Sequence, residues 1–132
     1  MPFVKKYNDT PTQFDPPAPV LEIFLSSPGI ATSPPVPVEG LIDSGADITV
    51  IPQKFVELLQ LKLVDQLPAA GYEGAQSEKL ADVYSVKVFI QDVGDYIIRV
   101  ICSNSDCAFI GRDIINSWEL FLRGKTSIFE IS

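Results

Sequence analysis

Residues 41–50 are Leu41-Ile-Asp-Ser-Gly-Ala-Asp-Ile-Thr-Val50, in which Asp43 directly follows two large apolar residues. This order predicts a buried strand that delivers a carboxylate to a tight turn at Gly45. Burial raises the free energy of an unpaired carboxylate, so a protein that places one there pairs it, hydrogen-bonds it or uses it. Asp-Ser-Gly alone is not specific, because an ordinary Asx turn at a strand end has the same composition.

A second segment further along the chain, Phe109-Ile-Gly-Arg-Asp113, has the same design. Two apolar residues again run into a glycine, and Arg112 and Asp113 then open a predicted short helix that extends to about Ser117. The two segments in this order form a much more specific pattern than either one alone.

The remaining patterns predict a mainly β fold with one or two short helices. Pro52 is well placed to open the first helix, over residues 53–59. Residues 1–19 are polar and proline-rich and are predicted to form an N-terminal arm, extended or poorly ordered, ahead of a domain at 20–132. Strands are predicted at 20–25, 36–42, 48–51, 79–90, 96–102, 108–110 and 126–131.

Composition excludes several classes of function. The 132 residues suit one globular domain and include no histidine, so Ser-His or Cys-His catalysis within one chain and HExxH zinc sites are excluded. A net charge of -7 disfavours nucleic-acid binding. Cys102 and Cys107 make neither a disulfide framework nor a zinc site, so we expect two ordinary thiols and no metal or cofactor.

We expect no membrane association and a cytoplasmic location. No apolar run approaches the roughly 18 residues that a membrane span needs. The N-terminal residues are also not followed by the apolar segment of a secretory signal.

Taken together, residues 41–50 and 109–113 resemble the retropepsin family, the retroviral-type aspartic proteases and their cellular relatives. The resemblance covers roughly residues 20–131 and implies a closed β fold that is active as a symmetric homodimer. Asp43 of each chain would be catalytic, and the two carboxylates would share one proton and activate a water to cleave peptide bonds. Two chains would carry twice the negative charge, which favours activity at acidic pH.

The resemblance also implies roles for residues around Asp43. Ser44, Gly45, Gly111 and Arg112 would support the active site, with Ser44 hydrogen-bonding across the dyad. A local turn bond of the Ser44 hydroxyl is the alternative. Gly45 and Asp47 would bind substrate backbone, and Asp47 would also pair with Arg112, unless both are simply solvated surface charges.

Other parts of the chain have more general expected roles. Residues 69–79 would form a flap over a peptide substrate, with Gly74 and Ala75 in contact with it, or only a mobile surface hairpin. Ile48 would line a side-chain pocket. In the family the chain ends interleave between subunits, so Phe129 and Ile131 are expected at the dimer interface. The apolar residues at 118–122 are expected in the core or the interface.

Two further interpretations remain alongside a protease. A non-catalytic dimerisation or peptide-binding module could keep the same fold, although it would have no need of the Asp43 dyad. A calcium site at Asp43 and Asp47 is disfavoured, because the alternating ligands of a calcium loop are missing.

Overall fold

The chain folds mainly into β structure, as predicted. The structure, a computed structural model, describes residues 2–10, 12–29, 34–70 and 78–132. Within these ranges it has ten strands, two short helices and one 3₁₀ turn (Gly124–Thr126). The elements are β1 (Phe3–Lys6), β2 (Val20–Ser26), β3 (Val36–Ile42), β4 (Val50–Pro52), α1 (Lys54–Leu58), β5 (Leu63–Ala70), β6 (Glu78–Ile90), β7 (Gly94–Ser103), β8 (Ala108–Ile110), α2 (Arg112–Ile115), β9 (Leu120–Arg123) and β10 (Ile128–Ile131).

Six strands close into a barrel in the order β2-β3-β8-β4-β7-β6, and β5 continues the sheet beyond β6. Closure comes from antiparallel pairing of β2 with β6, which places Phe24 opposite Phe89. β3 and β8 run parallel, with Leu41 opposite Phe109. This pairing lays the two segments singled out in the sequence side by side, so that both strands end at the same edge.

The barrel interior explains why these strands form where they do. Apolar residues recur at every second position, for example Val86, Val88 and Ile90 on β6, and all three are buried. Each such side chain contributes about 1.5–3 kcal/mol when it is fully buried. Ile42 and Ile110, the residues that precede Asp43 and Gly111, belong to the same core.

Several predicted boundaries shift for local reasons. Helix α1 is shorter than predicted, because Gln60 adopts a positive φ of 51° just after the helix ends. The strand predicted at 48–51 begins at Val50, because the amide and hydroxyl of Thr49 bond to Asp113 instead of joining a ladder. None of the described helices has the length and apolar character needed to cross a membrane.

A second, three-stranded sheet has the order β1-β10-β9 and corrects one expectation. Phe129 and Ile131 are buried in the core of their own chain, and β10 is already paired on both sides. The expected interface role of these two side chains is therefore wrong. Part of the N-terminal arm is ordered into this sheet, since β1 pairs with β10.

Candidate active site

Asp43 occupies a tight turn immediately after β3. Its backbone N–H donates to the carbonyl of Ile110 at 2.9 Å, which ties the start of the turn to the end of β8. The N–H of Gly45 donates to Asp43 Oδ1 at 3.0 Å, and the N–H of Ala46 donates to the Asp43 carbonyl at 3.1 Å. The Asx turn considered from the sequence is thus present, and it fixes the orientation of a half-buried carboxylate.

Gly111 lets the second segment cross this turn at very short range. A Cβ built at Gly111 would lie 2.8 Å from the carbonyl carbon of Ile48 and 2.9 Å from the carbonyl oxygen of Ala46. The next residue, Arg112, donates its backbone N–H to that same Ala46 oxygen at 2.8 Å. Only glycine allows the two backbones to approach so closely.

The Arg112 guanidinium clamps the turn from the side. Nη1 donates to the Ser44 carbonyl at 2.6 Å, and Nη2 donates to Asp47 Oδ1. The predicted contact between Arg112 and Asp47 is therefore present, although the side chains are 42% and 85% exposed. An ion pair exposed to this degree contributes little stability, so its main effect is to hold the loop in place.

A buried hydroxyl, to which the sequence pattern gave no role, completes the connection between the two segments. Thr49 is fully buried; its Oγ1 donates to Asp113 Oδ1 at 2.7 Å and accepts from the Gly111 N–H at 3.1 Å. The Thr49 N–H also donates to Asp113 Oδ2 at 3.0 Å. The available signal was a hydroxyl residue inside the apolar run 48–51, where a buried polar group needs partners.

The structure brings most of the predicted site residues together. Ser44 and Gly45 are exposed beside Asp43, and the Ser44 hydroxyl makes no hydrogen bond to the described residues, so the local turn bond is not formed. A Cβ at Gly45 would lie 3.2 Å from Asp43 Oδ1. Ile48 is half-buried, and its carbonyl group lies where Gly111 passes close to the turn.

The predicted flap contacts Gly74 and Ala75 lie outside the described residues. The strands β5 and β6 that lead to this segment are paired with each other, with Ala70 opposite Glu78.

The cysteines and the carboxylates outside the turn show no sign of a redox or metal site in the part of the chain that the structure describes. Both cysteines are free thiols, and burial, followed by the charge of Asp82, raises the pKa of Cys102 to about 11. Among the residues that the structure describes, no group of three or more Cys, Asp or Glu side chains is arranged to hold a metal ion.

Comparison with known proteins agrees with this geometry. A sequence model of the family described as retroviral aspartyl protease matches residues 16–123. No curated protein sequence matches the chain.

Solved structures share the fold at low sequence identity. The retropepsin-like aspartic protease from Rickettsia conorii is 12% identical with a TM-score of 0.67, over 99% of this chain and 89% of that one. The EIAV protease complexed with the inhibitor HBY-793 is 17% identical with a TM-score of 0.52, over 76% and 86%. The simian foamy virus (mac) protease is 20% identical with a TM-score of 0.52, over 73% and 92%.

Proposed function

Because the chain belongs to the retroviral aspartyl protease family, we propose that it is an aspartic endopeptidase that works as a symmetric homodimer. The observation that carries the proposal is the turn at Asp43, whose carboxylate is held by the Gly45 N–H within a loop clamped by Arg112. One chain has a single Asp-Ser-Gly segment, so a second copy would supply the second carboxylate. A two-fold axis would then pass between the two Asp43 side chains.

Two carboxylates about 3 Å apart share one proton, because both cannot ionise at low cost. The ionised member would take a proton from a bound water as the water oxygen bonds to the scissile carbonyl carbon. The protonated member would give its proton to the carbonyl oxygen. As the C–N bond breaks, one member of the dyad would give its proton to the leaving nitrogen and the other would take a proton from a hydroxyl of the tetrahedral intermediate. A carboxylic acid forms, and the dyad again holds one proton.

The neighbours of Asp43 would position the dyad and the substrate. The exposed Ser44 hydroxyl is free to reach the backbone of the partner chain. Gly45 leaves room for substrate backbone, since a side chain there would crowd the carboxylate at 3.2 Å. Asp47, 85% exposed, can accept a hydrogen bond from substrate backbone while Arg112 holds it.

Substrate would bind in an extended conformation, with side-chain pockets that set the cleavage preference. Ile48 would line one of these pockets from below. Gly74 and Ala75, on the segment between β5 and β6, would cover the substrate from above and exclude water during the reaction.

The decisive experiment is cleavage of a mixed peptide pool between about pH 3.5 and 7, the range in which carboxylate dyads titrate. Wild type is compared with Asp43→Asn, in which the amide oxygen can still accept the Gly45 N–H and preserve the turn. We expect cuts by wild type alone, strongest at acidic pH and blocked by a statine-type inhibitor. Loss of the base should lower the rate at least ~100-fold.

Two results would contradict the proposal. Substantial proteolysis by a pure Asp43→Asn preparation would remove Asp43 from the mechanism. A well-folded wild-type dimer that bound peptides without cutting them would favour a dimerisation or peptide-binding module with the same fold.

A further inference from the structure

The buried position of β10 leaves open which surface receives the second copy of the chain. Sheets associate through strands with an unpaired edge, and three of the described strands have one side unpaired along their whole length: β1, β9 and β5. Each of the six barrel strands is paired on both sides over at least part of its length, because β2 and β6 close the barrel. The question is therefore which of the three edges is built to pair.

Two of the edges carry features that discourage pairing. β1 ends in Lys5 and Lys6, and edge lysines are a common device against strand association. A symmetric copy on β1 would bring four of these charges together. β5 contains Pro68, which has no N–H to donate, and Asp65, which is paired with Arg99 at 3.5 Å.

The edge of β9 is apolar and has backbone groups available. Phe121 and Leu122 are 49% and 53% exposed. Glu119 exchanges two backbone hydrogen bonds with Ser132, so Phe121, two residues on, takes the next bonded position against β10. The N–H and C=O groups of Leu120 and Leu122 therefore point away from β10, towards solvent.

We infer that two copies of this chain associate by antiparallel pairing of β9 with β9, which joins their three-stranded sheets into one of six strands. Leu120 of each chain pairs with the partner's Leu122, and the two Phe121 rings meet on the two-fold axis. Charge selects this register, because Arg123 then lies opposite the partner's Glu119. A shift by two residues in either direction sets one of these charges against Phe121.

This inference rests on the proposed function, which requires two Asp43 side chains to meet. The β9 edge is suited to that task because β10, its neighbour, shares a core with the strands that carry the site. Phe129 on β10 packs in the same cluster as Ile42 and Ile110. A partner held at β9 is thus rigidly connected to the turn at Asp43.

The first test compares the same substitution on the two edges of the three-stranded sheet. Leu122→Pro removes an N–H that points outward from β9 and leaves the bonds to β10 intact. Val4→Pro does the same on β1, because Tyr7 bonds to Ser127 and the alternation turns Val4 outward. Val4 is 51% exposed, which matches Leu122 closely.

Sedimentation equilibrium of the full chain measures the dimer dissociation constant of each variant, with circular dichroism as the check on folding. Leu122→Pro removes two intersubunit hydrogen bonds per dimer, so we expect the constant to rise at least tenfold. Val4→Pro should stay within about twofold of wild type. An unchanged constant for Leu122→Pro, or an equal rise for Val4→Pro, would overturn the inference.

Charge reversal tests the register without proline. Glu119→Arg and Arg123→Glu should each weaken the dimer, and the double variant should be tighter than Arg123→Glu alone. No recovery in the double variant would refute the register.

The outcome also separates this inference from the proposed function. If the Leu122→Pro variant is still dimeric and still cleaves peptides, the inferred β9 interface is wrong but the proposed protease function stands. A wild-type chain that cleaves as a monomer would overturn both.

Discussion

Replacing Thr49 by valine keeps the size of the side chain and removes the hydroxyl that joins the two segments of the candidate active site. The hydroxyl donates to Asp113 at 2.7 Å and accepts from the Gly111 N–H at 3.1 Å. A hydrogen bond to a charged group contributes about 1.5–3 kcal/mol, and a buried N–H left without a partner costs about 1–3 kcal/mol. Because one hydroxyl makes both contacts, the two contributions are less than additive, and we expect a total loss of about 2–4 kcal/mol.

This loss should be visible in both chemical and thermal unfolding. An unfolding entropy of about 2.1 cal/mol/K per residue converts it to a fall in Tm of roughly 7–14 °C for a chain of this length. Urea unfolding at a fixed protein concentration measures the free energy directly. Thr49→Ser is the matched control, since it keeps the hydroxyl and loses one methyl group, about 1 kcal/mol.

Comparing the stabilities of Thr49→Val and Thr49→Ser can contradict the proposed role of the hydroxyl. If Thr49→Val costs no more than Thr49→Ser, the hydroxyl is not what holds the segments together. A double-mutant cycle with Asp113→Ala adds a second check, because both substitutions remove the hydrogen bond between Thr49 and Asp113 and should therefore be less than additive.

Three further predictions follow from the same region and from β7. Gly111→Ala should destabilise the fold by ~3 kcal/mol or more in urea unfolding, because its Cβ meets backbone at 2.8 Å, whereas Gly124→Ala, with nothing within 4 Å, should be almost neutral. Arg112→Ala should lower peptide cleavage and dimer affinity together, and Arg112→Lys should restore only part of both, because a single ammonium cannot reproduce the fork to Ser44 and Asp47; unchanged turnover and sedimentation would make Arg112 a bystander. Burial raises the pKa of Cys102 from 9.0 to about 11, so the folded chain keeps this proton where the unfolded chain loses it, and stability should fall as the pH rises through that window. Its alkylation rate in a Cys107→Ser background should therefore still increase above pH 9, and a plateau by pH 9 would contradict the shift.

The sequence predicted the parts of the molecule that depend on local pattern. Apolar, β-branched runs bounded by turn residues identified both β3 and β8, and the structure places these strands side by side. The contact between Asp47 and Arg112 was also predicted correctly, because the family resemblance names both partners. The strands could be predicted because residue type and spacing distinguish them locally, whereas the contact between Asp47 and Arg112 depended on the resemblance.

What the sequence missed depends on pairing between distant segments. Strand β9 was expected only as core or interface, because its four residues lack a turn signal that would separate them from α2. Phe129 and Ile131 were assigned to the wrong surface, since their alternation reveals a buried face but not whether the covering atoms come from the same chain. The role of Thr49 depends on Asp113, which lies 64 residues away in sequence. A local sequence pattern cannot predict a contact between residues so far apart.

The contacts described for the Asp43 turn are made within one chain, so the turn can form before two chains associate. Gly111, Thr49, Asp113 and Arg112 complete their hydrogen bonds without a partner, so the loop is already in position when a monomer folds. Association then has little ordering entropy left to overcome at the site. Under the proposed function, the second copy therefore supplies mainly a carboxylate. Variants outside the turn that weaken the dimer should accordingly lower activity in proportion to the dimer lost, with turnover per remaining dimer unchanged.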